Sequence, residues 1–348
     1  MKKFKMVFCW ALLSVVFQCS IFFILSNYYF KTNTDVDIKQ IEIKEDTTYK
    51  DCNINLPQNS KNKSLSYNGE YIAFLENDKL KVLNTTNSND ENLNLDNNFK
   101  VSCFKWLNDR NRLIAIGKKD NEIILHTIDL NNIKNSKELN VSDNMKDLST
   151  KTRHSINIDD FAISTKTSVM YLKAIDKSSN CYIYRINSSD EFEKIKPNTN
   201  KISDIEIIPR EDRLIYETLD KSEFYITRPD KKIYIKGNGK YNLLQIDENS
   251  NLYVGNLVND KINKIFVKKL DSNSPSIDTI NLDIPINSKD IYITIDGQTL
   301  LNYKESKTLK DITVNKEYKY NGNIISVYKE GFSTISEDNR LTKYRFKN

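Results

Sequence analysis

His126 and His154 are the only imidazoles in the 348 residues, so acid–base chemistry through histidine has two places to start. His126 lies in the apolar run Ile123–Ile128, where a hydrogen-bonded core histidine is the expected role. Five cysteines divide into Cys9 and Cys19 in an N-terminal apolar stretch and Cys52, Cys103 and Cys181 beyond it. Neither residue type falls at zinc-ligand spacing. The outer three leave room for at most one disulfide, and Cys103 and Cys181 sit in strand-like runs that suit core packing. Asp247-Glu248-Asn249-Ser250-Asn251 has oxygen ligands for calcium but no glycine turn and no terminal glutamate, so a β-turn is expected. The phosphate-binding and nucleophile-elbow patterns G-x-x-x-x-G-K-[ST], G-x-G-x-x-G and G-x-S-x-G are absent. The expectation is a non-catalytic chain without metal or cofactor.

What remains is charge on turns. Between pairs of apolar segments lie Asn77-Asp78, Lys118-Lys119-Asp120, Asp176-Lys177, Asp220-Lys221, Asp260-Lys261, Lys304-Glu305 and Glu337-Asp338. Asp78, Lys119, Asp176, Asp220, Asp260, Glu305 and Asp338 are therefore candidate contact residues, since binding residues concentrate on loops carried by rigid scaffolds. Ordinary solvated turns have the same composition.

The elements that position these turns repeat. Each unit is an apolar strand, a tight polar turn, a second apolar strand, a polar loop and a third strand. The first copy runs Ser64–Tyr67, Asn68-Gly69-Glu70, Tyr71–Phe74, Glu76-Asn77-Asp78 and Leu80–Leu83. The second runs Val101–Leu107, Asn108–Asn111, Leu113–Ile116, Lys118–Asn121 and Ile123–Ile128. Later second strands are expected at Val169–Leu172, Leu214–Tyr216, Leu252–Val254, Leu300-Leu301 and Phe332–Ile335, making seven units. From Ile72 to Ser333 their spacing averages about 43 residues, which suits a four-stranded propeller blade. The turn before the second strand carries residues tolerant of left-handed backbone in six units; Ser164–Ser168 is the exception. Second strands apolar on both faces fit strands sandwiched between neighbouring blades.

Ser66-Tyr67-Asn68-Gly69-Glu70-Tyr71-Ile72-Ala73-Phe74 resembles the S-x-D-G-x-x-I-A-F blade signature of the TolB-like and dipeptidyl-peptidase-IV-type WD40-like propellers. The resemblance covers roughly residues 61 to 348, and in the other units only the turn and flanking apolar strands persist. It implies an all-β, seven-bladed propeller, here without the hydrolase domain that prolyl-peptidase relatives add. The last unit supplies three strands only, ending at Leu341–Phe346. Asp37–Ile43, within residues 36–44, is strand-like and is the expected fourth, closing the ring and removing its edges; a flexible stalk is the alternative.

Ahead of the repeats, Lys2, Lys3 and Lys5 precede an apolar run from Met6 to Leu25. About 20 helical residues cross a bilayer, and flanking lysines orient the N-terminus to the cytoplasm. The expected organisation is a cytoplasmic tail at 1–5, a single transmembrane anchor at 6–27, a juxtamembrane segment at 28–60 and the propeller at 61–348. A cleaved signal peptide shares the basic start and apolar core, but Ile24-Leu25-Ser26 lacks the small-x-small pattern. The expected location is the plasma membrane of a bacterial-type cell, with the large domain outside and an envelope protein or cell-wall component as partner. Net charge of +5 falls to +2 without the three N-terminal lysines, which excludes a nucleic-acid footprint. The alternative is an enzyme of unrecognised type with its site in the central channel.

Overall fold

The second strand of each repeat unit is the most buried, as strands apolar on both faces require. β2 (Tyr71–Glu76), β9 (Val169–Ile175), β13 (Leu214–Thr218) and β25 (Gly331–Ile335) are buried almost throughout. Outer strands such as β7 (Lys137–Asn140) and β23 (Lys316–Lys319) have no buried residue. The gradient from buried second strand to exposed outer strand is that of a blade stacked on its neighbours.

The computed structural model describes residues 2–24, 54–145, 155–237, 239–270 and 277–346, with side chains of the N-terminal helix described at 6, 8, 10 and 12–24. The chain forms two compact units, residues 1–49 and 50–348. Helix α1 (Lys2–Ile24) belongs to the first, and its described apolar side chains, from Met6 to Ile24, are exposed. Among the described residues no helix is long and apolar enough to cross a membrane.

The second unit is a seven-bladed β-propeller of seven antiparallel sheets. Blade 1 is β1 (Lys61–Leu65), β2 and β3 (Lys79–Asn84); blade 2 is β4 (Lys100–Trp106), β5 (Arg112–Lys119), β6 (Glu122–Asp129) and β7. Blade 3 is β8 (Asn157–Ser164), β9, β10 (Cys181–Ile186) and β11 (Phe192–Ile195). Blade 4 is β12 (Ile202–Ile207), β13, β14 (Phe224–Ile226) and β15 (Lys231–Ile233). Blade 5 is β16 (Lys240–Ile246), β17 (Asn251–Val258), β18 (Lys261–Lys269) and β19 (Ile277–Ile286). Blade 6 is β20 (Ile291–Ile293), β21 (Thr299–Tyr303), β22 (Thr308–Asp311) and β23; blade 7 is β24 (Asn323–Tyr328), β25 and β26 (Leu341–Arg345). First strands touch in succession from β1 through β4, β8, β12 and β16 to β20, and β24 returns to β1. They form the innermost layer, around the channel.

Six of the seven innermost strands carry a bulge against their second strand, between Lys61/Ser64, Val101/Cys103, Ile158/Asp160, Ile202/Ile205, Leu243/Gln245 and Ile324/Ser326. A bulge bends and over-twists a strand, which suits the tightest radius of the ring, and it re-aims the side chains beside it.

The ring closes through its own N-terminal chain. Leu56 donates its N–H to the Asn339 carbonyl at 3.0 Å and Leu341 donates to Ile54 at 3.0 Å, flanking an antiparallel bridge between Asn55 and Arg340. Ile54 and Leu56 are buried with Leu65, Tyr328 and Leu341. The propeller therefore takes up the chain from Ile54, ahead of the boundary expected at residue 61. The closing strand expected at 36–44 lies outside the described residues. Lys329 N–H to Tyr67 O at 3.3 Å and Lys343 Nζ to Thr85 Oγ1 at 3.0 Å join the last blade to the first. Gly69, at φ +71°, lies so near Tyr328 that a Cβ would meet the ring at 2.9 Å. The sequence signature containing Gly69 thus forms one wall of the closure seam.

Candidate functional site

Antiparallel strands alternate in direction, so the turns between second and third strands share one face with the crossings between blades. The turn face carries all seven residues singled out from the sequence. Asp78, Asp176, Asp220, Asp260, Glu305 and Asp338 lie in these turns, and Lys119 ends β5 beside one. The structure thus spreads them around the ring and does not gather them into one site. Several have local structural work. Lys119 pairs with Asp96 at 2.9 Å. The Asn180 side-chain amide donates to Asp176 Oδ2 at 3.0 Å, and the N–H groups of Asn180 and Ser178 donate to Oδ1 at 2.9 Å and 2.8 Å, which together hold the carboxyl below the usual range. Asp338 accepts from the Ser336 hydroxyl.

Every one of these turns contains at least one residue in the left-handed region: Asp78, Asn121, Ser179, Ser222, Asp260, Lys307 and Asn339 have φ between +48° and +70°. Asn77-Asp78, Asp120-Asn121 and Asn259-Asp260 are two-residue turns with both φ positive, the geometry that matches the twist of a hairpin. Turns before the second strand adopt it in four blades only, at Gly69, Ser168, Ser250 and Gly297. Ser168 lies in the unit that lacked a turn signal in the sequence, because serine takes this conformation without advertising it.

The inner wall of blades 2 to 4 holds a group of ionisable side chains that strand patterning hid. Lys105 on β4 bonds Asp160 Oδ1 on β8 at 2.7 Å and the Phe161 carbonyl at 2.7 Å, with its side chain still 41% accessible. Lys173 on β9, only 6% accessible, bonds Asp159 Oδ2 at 2.7 Å and the Ser203 carbonyl on β12 at 2.7 Å. The bulge between Ile158 and Asp160 lets these two consecutive aspartates serve different lysines. Glu217 Oε2, on β13, accepts the Leu243 N–H of β16 at 2.8 Å. Lys105, Lys173 and Glu217 thus each tie one blade to the next.

Electrostatics follow from this enclosure. Burial pushes Glu206 up to about 8 against the pull of Lys105, and pushes Glu217 up to about 7 against the Leu243 hydrogen bond. Asp204 is raised too, again by burial. Burial alone would lower Lys105, but Asp160, Glu206 and Asp204 reverse the sign and its pKa is raised. The wall can hold protons near neutral pH. An alternation of Ile with charge in Ile202-Ser203-Asp204-Ile205-Glu206-Ile207 was the available sequence signal.

The other residues suspected of chemistry are structural. His126 is buried, edge-on to Phe99 at 4.6 Å; its Nε2 has no hydrogen-bond partner and stands 3.7 Å from Glu138. It is packed in the core as expected, with Nε2 unbonded, and burial lowers its pKa. His154 lies outside the described residues, as does Cys52. Cys103 and Cys181 are free thiols that burial pushes up to about 12. Asp247 forms the expected turn, Oδ1 accepting from Asn249 N–H at 2.9 Å and Asn251 N–H at 2.8 Å, Oδ2 from the Tyr253 hydroxyl at 3.1 Å. Among the described residues no group of three or more His, Cys, Asp or Glu side chains is placed to hold a metal. An apolar cleft of about 350 Å³ lies between blades 5 and 6, walled by Val267, Ile280, Leu301 and Tyr303.

No protein-family model matches the chain, and no curated protein matches it. Among solved structures, the chain is similar to the Myceliophteria thermophila Cps50 (Swd1) β-propeller domain, with 10% identity, TM-score 0.53, and coverage of 85% of this chain and 99% of that one. That likeness supports the propeller fold. Lesser likenesses are to the Dos1 propeller (13% identity, TM-score 0.49, 82% and 78% covered) and a luciferin-regenerating enzyme (11%, 0.41, 74% and 84%).

Proposed function

We propose that this chain is a non-catalytic, membrane-anchored scaffold: a TolB-like propeller held outside a bacterial-type plasma membrane by a single N-terminal span. Its partner is an envelope protein or cell-wall component. The observation that carries the binding role is the turn face, where every blade presents a short turn fixed by left-handed residues. Fixed loops lose little entropy on binding, which favours recognition over an adaptable surface. The exposed apolar side chains of α1 support the anchor, since a helix clothed in apolar residues needs a protein core or a membrane around it.

Cross-linking in native membranes followed by mass spectrometry tests this reading. One partner should be recovered repeatedly and be lost when Asp78 and Glu305, in the turns of blades 1 and 6, are both changed to Lys. Recovery of the protein alone, with no phenotype from charge reversal, would overturn it. Alkaline extraction tests the anchor separately, because a spanning protein stays in the pellet.

The channel wall favours a second reading, an enzyme with its site there. What supports it is that burial raises Glu206, on the innermost strand β12, to about 8, a value suited to proton transfer near neutral pH. A turnover detected with small envelope metabolites and abolished by Glu206→Gln would establish it over the scaffold.

A further inference from the structure

Outside α1, the large apolar side chains exposed among the described residues are Leu219, Tyr234, Val258, Ile284 and Val314. Strand topology brings four of them together. Leu219 opens the turn between β13 and β14, Tyr234 follows β15 where the chain crosses to blade 5, Val258 ends β17, and Ile284 lies two residues before the end of β19. All four emerge on the turn face of the adjacent blades 4 and 5. Val314, between β22 and β23, is on the opposite face. The turns of blades 1, 2, 3, 6 and 7 present only polar and charged residues there.

The surroundings of the four are basic. Lys221, Lys236, Lys240, Lys261 and Lys289 are exposed on this side of the two blades, against the exposed Asp220, Asp260 and Asp283. Lys232 Nζ lies 5.6 Å from the centre of the Tyr234 ring. Isolated aliphatic tips, one tyrosine and an excess of lysine make a composition suited to the headgroup region of an anionic bilayer, where apolar tips enter the acyl boundary and ammonium groups meet phosphate. Protein interfaces favour arginine and deplete lysine, and no arginine lies among these residues.

We propose that the turn face of blades 4 and 5 rests on an anionic lipid surface. This deepens the membrane-anchored reading and leaves the polar turns of the other blades for a protein partner.

The test uses the full chain with Trp10→Phe, reconstituted in vesicles of brominated phosphatidylcholine and phosphatidylserine. A tryptophan introduced as Leu219→Trp or Ile284→Trp should be quenched about two-fold more than one introduced as Val314→Trp, and the difference should shrink in high salt or without phosphatidylserine. Equal quenching at all three sites overturns the proposal. So does weak quenching at all three combined with loss of a native-membrane cross-link on Leu219→Asp, which would assign the patch to a protein partner. Alkaline extraction of the same vesicles reads the anchor independently: release of the chain with the quenching difference intact would refute the span while retaining the face contact.

Discussion

The ring is joined from blade to blade in two different ways. Between blades 7 and 1 the joint is a closure: the described residues Ile54–Leu56 pair with Asn339–Leu341 where the chain enters β26, and Tyr328 packs on Gly69. Between blades 2 and 5 successive joints are crossed by Lys105, Lys173 and Glu217, buried or half-buried charges bonded to the next blade. Closure depends on apolar burial and main-chain pairing, which do not respond to pH. The polar joints depend on ionisation, so they do.

The largest expected effect lies at the closure. Ile54→Ala and Leu56→Ala each remove a buried side chain whose loss costs about 2–5 kcal/mol, read as a lower midpoint in urea unfolding. If either change leaves the midpoint unaltered, the stub does not close the ring. Deleting residues 36–44 refines this. A melt lowered by many degrees would give that segment a share in the closure, and an unchanged melt would assign the closure to Ile54–Leu56 alone.

Next in size come single changes on each side of the comparison. Gly69→Ala forces a Cβ onto a positive φ and towards Tyr328, an expected cost of about 1–3 kcal/mol that Tyr328→Ala in the same chain should partly relieve. Lys173→Met leaves the Ser203 carbonyl and Asp159 without their donor, at about 1–3 kcal/mol. A double-mutant cycle with Asp159→Asn should return most of the Asp159 share; strict additivity would mean the pair is not coupled.

The response to pH separates the two kinds of joint most sharply. Glu206 and Glu217 have folded pKa values of about 8 and 7 against an ordinary 4.5, so the folded state binds more protons between these limits. Stability is therefore full below about pH 4.5 for these two groups and declines as pH rises towards 8. The melting temperature at pH 8.5 should fall below that at pH 5.5. Glu206→Gln should flatten the slope, while Leu56→Ala should lower the melt equally at both pH values.

The sequence disclosed the blades because second strands such as Tyr71–Leu75 and Leu214–Tyr216 must be apolar on both faces, a pattern that survives divergence of everything else. Seven units, and the turns holding Asp78 to Asp338, followed from it. Three features stayed hidden. Bulges leave no composition signal, so the divergent reach of Asp159 and Asp160 was not visible. Lys105 and Glu206 come from blades 2 and 4 and act on each other only once the ring is formed. The closing residues Ile54 and Leu56 are too short a segment to show periodicity, whereas Asp37–Ile43 alternates and attracted the expectation.

The stub that closes the ring is also the first part of the propeller reached from the N-terminal helix along the chain. Tension on that tether is delivered to the Leu341–Ile54 and Leu56–Asn339 hydrogen bonds before any other strand of the fold bears it. These bonds are few and sit where the chain enters β26. The joint is therefore the first part of the described ring that a load arriving along the chain from its N-terminal side would meet.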